Sequence, residues 1–470
     1  MTFFQLGKIL RYLLHAFSIL LFCWLHWKAN LTTPPPWPDE SVFLYPSLAF
    51  ADSATFYAPE LCSRPLFWMP PAYYVFLGTI FSVLPFSLSL ARLTSLILII
   101  AIYLLLTSIS YILFNHNHNV ILIALYFLDI RMIECANIAR MEALLLFIVV
   151  LAFRLYLSGI LIAPTILVFL SPLIHPNGFF FVIAFLCILI VNPVKKLKLS
   201  ILSLFAVIIF IIIWLLYILS VSNNFDMFTH DFAIQLQRKA DRNVIAYFND
   251  KRLLVIPILL IVINLCNNRR MLLVILLFYI PGLLIKRIGV EVWYAPYEIV
   301  FWLFASFVVL NIARNITEFI IRKLSIINIV VYYLIIALIV LLQVRYNILN
   351  YHDTSELVRR NDAYIENEEI LAINELIISN IDNPSKPVRV RFMPPGDGLL
   401  FRSETLQPVF PVCDCSATWD LTILHWSNLR TQVDYDNLIS EYSDVPKDYR
   451  VVKYKTQNND ENSYSIWICY

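Results

Sequence analysis

Uninterrupted apolar runs dominate this chain, and the one from Ile201 to Leu219 contains no charged residue. A run of that length, wound as a helix, reaches about 30 Å, the thickness of a bilayer's hydrocarbon core. The pattern is general: of 470 residues, 60% are hydrophobic and 14% charged, and the mean hydropathy is +0.73. Soluble globular chains do not have this composition, so the sequence predicts an all-α polytopic membrane protein. The net charge of +2 is close to neutral. Basic residues fall in short clusters between apolar runs, a pattern of membrane topology that excludes a nucleic-acid partner. Ile9 to Trp27 is longer than a signal-peptide core, and Trp24 to Lys28 lack a small-residue cleavage pattern, so this stretch reads as a retained first span.

Lys and Arg are held on the cytoplasmic side. Lys8 and Arg11, Lys195, Lys196 and Lys198, Arg269 and Arg270, and Arg314, Arg322 and Lys323 therefore mark inward loops. Spans follow near 200 to 221, 252 to 267, 270 to 285, 296 to 313 and 326 to 344, which puts the chain after Tyr346 outside. Counting backward, spans near 176 to 193, 160 to 174 and 143 to 158 put His175 and Glu142 outside, and the first span puts Asp39 outside too. An even number of crossings must then separate Asp39 from Glu142, yet three candidates lie between them, near 71 to 87, 89 to 113 and 119 to 130. One of them does not span, which leaves roughly eleven transmembrane helices. The expected organisation is a transmembrane domain over 1–346, with a first external loop at 30–69, and a small external α/β domain over 351–470.

The first loop mixes Pro, Trp, Tyr and Phe with few charges, which suits interfacial helices at headgroup depth. Beyond Tyr351, charge and Asn content rise; 355 to 379 has apolar residues at helical spacing, and 388 to 392 alternates as a strand does. Cys23, Cys135, Cys187 and Cys266 lie in or beside apolar spans and read as packing residues, while Cys62 sits in the first loop. An exported C-terminal domain would permit a disulfide from Cys413 or Cys415 to Cys469. No set of four zinc ligands at characteristic spacing is present in the sequence.

The chemistry-bearing groups lie in the outward loops. Asp39 and Glu40 follow the first span in Trp37-Pro38-Asp39-Glu40, a string that by itself also reads as a helix start. Arg140-Met141-Glu142 opens an apolar helix, where a Glu is favoured by the helix dipole even without a further role. Ser171-Pro172-Leu173-Ile174-His175-Pro176-Asn177-Gly178 interrupts two apolar runs, and such breaks at membrane depth need buried protein or water around them. The loop from Asn223 to Asp250 is rich in basic and amide groups, Arg238 among them, suited to clamping a phosphate or to a solvated helix. Lys286 and Arg287 precede Trp293-Tyr294-Ala295-Pro296-Tyr297 on the outer side, against the usual charge bias, as a site facing an anionic headgroup would require. An aromatic belt is the alternative reading of the tyrosines.

The order of these elements carries a resemblance. After the acidic pair come Arg64-Pro65, Pro70-Pro71-Ala72-Tyr73-Tyr74, Ala91-Arg92-Leu93, Arg140-x-Glu142 and His175-Pro176-x-Gly178. The set resembles the GT-C superfamily of membrane glycosyltransferases, in the branch of protein O-mannosyltransferases and lipid A aminoarabinose transferases, over roughly residues 9 to 310. The resemblance implies inverting transfer of a sugar from a polyprenyl-phosphate carrier to a lipid, glycan or protein acceptor on the exoplasmic side. It gives Asp39 the role of acting on the acceptor hydroxyl or the phosphate, with Glu40 orienting Asp39 or the acceptor. Glu142 stands where the family usually has aspartate, as hydrogen-bond partner or metal ligand; a divalent cation is used by some relatives and not by others, and two carboxylates make a sparse oxygen site. Arg140, Lys286, Arg287 and Arg64 are the candidates for the carrier phosphate, with Tyr294 and Tyr297 along the sugar or prenyl groove and Tyr73, His175 and Arg238 as further binding residues. A bacterial inner membrane with a cytoplasmic N-terminus and periplasmic C-terminus is the expected location. The rival classes are a transporter or lipid flippase, for which Asp129, Arg131 and Glu134 beside one short span are the best support, and a noncatalytic relative of the transferases.

Overall fold

The computed structural model describes residues 3–29, 38–56, 69–114, 119–127, 129–191, 196–221 and 325–351 as near-continuous stretches. It also describes isolated positions between 225 and 310 and between 371 and 379, and strands between 388 and 469. Helices come first: α1 Phe3–Ala29, α2 Pro38–Ser53, α3 Ala72–Phe81, α4 Leu88–Phe114, α5 Asn119–Leu122, α6 Ile130–Ala136, α7 Met141–Leu157, α8 Ile162–Leu170, α9 Gly178–Val191, α10 Lys196–Val221 and α11 Ser325–Tyr351. α5 runs into a π-helical turn at Ile123–Phe127, and α8 into a 3-10 turn at Ser171–Leu173. Strands follow: β1 Val388–Met393, β2 Leu406–Val409, β3 Leu421–Ser427, β4 Tyr449–Lys455 and β5 Ser463–Cys469.

The chain divides into two compact units, one of residues 1–27, 67–72 and 93–355, the other of 28–66, 73–92 and 356–470. In the first, α8 is the central helix, with α7, α9 and α10 packed on it, and α11 packs on α5 and the π-helical turn. Its core is aromatic as well as aliphatic. The rings of Phe22 and Tyr103 stand 4.5 and 4.4 Å from that of Phe127, and the His15 Nδ1 is 2.5 Å from the Tyr103 hydroxyl. Phe153, Phe278 and Phe304 form a second ring cluster.

In the second unit, α2 opens at Pro38, whose fixed φ suits the first helical position, and the acids that follow suit a helix's positive end. Phe43 of α2 meets Tyr73 of α3 edge-on at 6.1 Å. The C-terminal strands form one sheet in the order β2-β1-β3-β5-β4. β1 runs parallel to β2 and β3, while β5 is antiparallel to β3 and β4. β1 alternates Val388, Val390 and Phe392 with Arg389 and Arg391, and Val390 is fully buried.

Among the described residues, Leu88–Leu113 is the helix long and apolar enough to cross a membrane; Tyr12–Trp24, Ala72–Phe81, Ile162–Leu173, Gly178–Ile188, Phe205–Leu219 and Leu334–Leu349 are shorter apolar helices. The ten residues of α3 give about 15 Å of helix, half of a hydrocarbon core. The candidate near 119 to 130 is likewise broken, by the π-helical turn and the start of α6 at Ile130.

Candidate active site

Among the described residues, three arginines each engage both oxygens of a carboxylate, and in two of these pairs, one in each unit, both side chains are buried. In the first, α6 ends at Ala136 and the chain turns into α7 with Arg140 as an extended residue ahead of the helix, φ −136° and ψ 156°. The turn is fixed by hydrogen bonds: Asn137 Nδ2 donates to the Ile133 carbonyl at 2.7 Å, and Ser95 Oγ donates to that of Ile138 at 2.8 Å. Arg140 then folds back onto Glu142, in the first turn of α7, its Nη2 donating to Oε1 at 3.1 Å and its Nε to Oε2 at 3.3 Å. The guanidinium thus engages both carboxylate oxygens, a geometry that lysine cannot reproduce. Arg140 and Glu142 are buried at 7% and 2% exposure, so each charge depends on the other for solvation.

His175 comes from the break between α8 and α9. Ser171 begins this break, and its carbonyl accepts from the backbone N–H groups of Ile174 and His175 at 3.0 and 3.3 Å. The Asn177 N–H donates to His175 Nδ1 at 2.9 Å. With Nδ1 accepting, the neutral ring carries its proton on Nε2, which lies 3.9 Å from Glu142 Oε1. The donor therefore faces the carboxylate across a gap too wide for a direct hydrogen bond. Tyr297 donates from its hydroxyl to the main-chain carbonyl of Glu142 at 3.4 Å, and its ring lies 5.8 Å from that of Phe181. Among the described residues, the buried Asn177 Nδ2 has no hydrogen-bond partner.

In the second unit, Glu40 is fully buried and both its oxygens are taken by Arg92, from Nη2 at 2.8 Å and from Nε at 3.1 Å. Tyr73, almost completely buried, packs on Phe43 and Phe76, and Tyr74 packs on Phe56. Asp39 lies in the first turn of α2, and its side chain is outside the described residues. Arg64, Arg238, Lys286, Arg287 and Tyr294 lie outside the described residues altogether, as do Cys413 and Cys415. Cys469 ends β5 and pairs with Thr422 and Tyr449 in the backbone register. Among the described residues, no group of three or more His, Cys, Asp or Glu side chains converges as a metal site.

Arg140-x-Glu142, His175 and Tyr297 stand far apart in the sequence, and the fold brings them together. Sequence reasoning missed Arg92 as the partner of Glu40 and Asn177 as the residue that sets the His175 tautomer. Asn177 was visible only as a polar residue in the Pro-broken turn; nothing local marks its backbone N–H as the one that caps the imidazole.

No family model and no curated protein matches this chain. Among solved structures, it is similar to ArnT from Cupriavidus metallidurans, in a crystal structure of that protein bound to undecaprenyl phosphate. The match has a TM-score of 0.51 and covers 96% of this chain and 97% of that one, at 12% sequence identity. The fold is that of ArnT. The likeness is one of backbone fold. At 12% identity, ArnT speaks for the fold and not for individual side chains.

Proposed function

We propose that this chain is an integral-membrane glycosyltransferase that moves a sugar, with inversion, from a polyprenyl-phosphate donor to a lipid, cell-surface glycan or protein acceptor on the exoplasmic face. The observation that carries the reading is the likeness in fold to ArnT over 96% of the chain, together with ArnT's being bound to undecaprenyl phosphate in that crystal structure. The buried charges of the outward loops supply the chemistry. In an inverting transfer the base must meet the acceptor hydroxyl on one face of the anomeric carbon while the phosphate leaves from the other. Asp39 is assigned as that base, and Glu40, clamped by Arg92 at 2.8 Å, fixes the turn of helix that presents it.

Arg140, Arg64, Lys286 and Arg287 are assigned to the carrier phosphate. Glu142 holds the Arg140 guanidinium in place, and His175 supplies an Nε2 proton donor at the edge of that pair. The Asn177 amide, buried without a partner among the described residues, offers a further donor to a sugar or phosphate oxygen. Arg238, Tyr73, Tyr294 and Tyr297 complete the proposed binding residues. The organisation that goes with this reading is a catalytic domain over 1–346 with roughly eleven spans and a periplasmic domain over 351–470, in a bacterial inner membrane.

The test is transfer in vesicles from a panel of radiolabelled polyprenyl-phosphate sugars, with the wild-type chain and Asp39→Asn at matched expression. Label should reach an acceptor with the wild type alone, a loss on the order of a thousandfold or more for the variant if a general base and its positioning are both removed. Equal transfer by the two proteins would remove Asp39 from the mechanism. Donor left intact by both, across a panel that includes an acceptor, would favour the transporter, flippase or noncatalytic readings.

A further inference from the structure

Asn177 stands immediately ahead of α9, where an asparagine ordinarily turns its side chain onto the first N–H groups of the helix. Here those donors are taken by backbone carbonyls. Gly178 donates to the carbonyl of His175 at 2.8 Å, Phe179 to that of Pro176 at 3.1 Å and Phe180 to that of Asn177 itself at 3.1 Å. The side-chain amide is thereby released from capping, and it is the backbone N–H of Asn177 that holds His175 Nδ1. The result is a buried Nδ2, in a residue 5% exposed, with no acceptor among the described residues. An unmade bond of this kind is costly, and it calls for a partner that the chain does not supply.

Glu142 has the complementary deficit. The two oxygens of a carboxylate offer about four lone-pair sites. Arg140 fills one on each oxygen, from Nη2 at 3.1 Å and from Nε at 3.3 Å, and His175 Nε2 stands off at 3.9 Å. Asp129, in the same unit, shows the saturated case: it accepts from the Arg131 backbone N–H, from Arg131 Nε and Nη2, and from Gln343 Nε2, all within 3.0 Å. Asp129 is thus occupied by the fold, whereas Glu142, as deeply buried, keeps room to accept. The His175 imidazole joins the two deficits, with Asn177 at its Nδ1 side and Glu142 at its Nε2 side.

A phosphate answers only one of them. Its oxygens accept from an amide, but they bring lone pairs and negative charge to a carboxylate that is short of donors. A hydroxyl answers both, giving its hydrogen to Glu142 and accepting from the amide, and a sugar ring carries several hydroxyls in succession. A buried site built for hydroxyls rejects a substrate that lacks one, because its own polar groups are then left unpaired. We propose that Glu142 and Asn177 form the subsite for the sugar of the donor, with Asn177 the residue that selects its hydroxyl pattern; this assignment rests on the reading of the chain as a polyprenyl-phosphate-sugar transferase. The carrier phosphate then belongs to the cations assigned to it above, and the sugar to the break between α8 and α9.

The test is binding of radiolabelled undecaprenyl phosphate to the full chain in detergent, and its displacement by the unlabelled carrier, bare or linked to glucose, mannose, galactose or arabinose. With the wild type, at least one glycosylated carrier should displace the label about tenfold more effectively than the bare one. Asn177→Ala keeps the backbone N–H on His175, and Asn177→Asp keeps the size of the side chain and suits a helix start but has no N–H to give. Both should cut that advantage about fivefold or more and change the affinity for the bare carrier by less than about twofold. Among monodeoxy forms of the preferred sugar, one should cost the wild type about fivefold and cost Asn177→Ala nothing further, a coupling that general loss of structure does not produce. Equal weakening of bare and glycosylated carriers, no advantage for any glycosylated carrier, an advantage untouched by both variants, or purely additive deoxy losses would each overturn the proposal while leaving carrier recognition in place. A wild-type chain that binds no carrier at all would overturn it together with the reading on which it rests.

Discussion

At the scale of single residues, three doubly bonded arginine–carboxylate pairs stand out among the described residues: Glu40 with Arg92 and Glu142 with Arg140, both buried, and Asp129 with the partly exposed Arg131. A buried pair of this kind is costly to break and cheap to replace whole. Glu40→Leu should therefore lower stability by about 3–5 kcal/mol by stranding the Arg92 guanidinium, while Glu40→Leu with Arg92→Met should recover most of the loss. Thermal unfolding in detergent measures both; equal melting of the single and double variants would show that the pair is not coupled. The sequence made the acids legible, because charge is rare here and each one stands out at the end of an apolar run. It did not make the partners legible. Arg92 is 52 residues from Glu40 and Gln343 is 214 from Asp129, separations that no local pattern encodes. Arg140 and Glu142 are the exception, since an extended residue followed by a helix start lets neighbours two apart fold together.

At the scale of elements, helices as long as α4, α10 and α11 could be read directly from apolar runs, whereas the breaks could not be placed to the residue. The turn between α8 and α9 shows why. A Cβ on Gly178 would lie 2.5 Å from the Pro172 nitrogen and the Ser171 carbonyl carbon, both backbone atoms, so the return of the chain onto itself requires glycine there. The sequence marked the break by its prolines, but close backbone approach leaves no periodic trace. Gly178→Ala should destabilise by about 1–3 kcal/mol or more through overpacking and should shift His175. Gly159, at φ +83° with nothing within 4 Å of a Cβ, is the control. Its change to Ala costs only left-handed strain, about 1 kcal/mol. Melting temperatures of the two variants should therefore differ, and a Gly159→Ala variant as unstable as Gly178→Ala would remove the steric account.

At the scale of the whole molecule, the second compact unit joins segments far apart in the chain: residues 28–66, 73–92 and 356–470. Composition marks the loop before α3 as Pro- and aromatic-rich and the C-terminal residues as charged and Asn-rich, and it cannot show that they cluster together, because association between distant segments depends on surfaces and not on periodicity. The physical need is clear from size. α2 has 16 residues and α3 has 10, too few to bury a core by themselves. The Glu40–Arg92 pair, at 2.8 Å and fully desolvated, needs a dry surrounding to hold its geometry. Residues 356–470 are the largest segment of that unit, and the expectation that they provide one is testable. Truncation after Ser355 should leave the helices of the first unit folded, with helical circular dichroism lost only in proportion to the residues removed, while protease cuts within 28–66 become faster by about tenfold or more as that segment opens. Sugar transfer, if Asp39 is the base, should fall with it. A truncated chain whose loop is as resistant as that of the full chain would mean that residues 28–92 hold their own structure and that the sheet is an appended module.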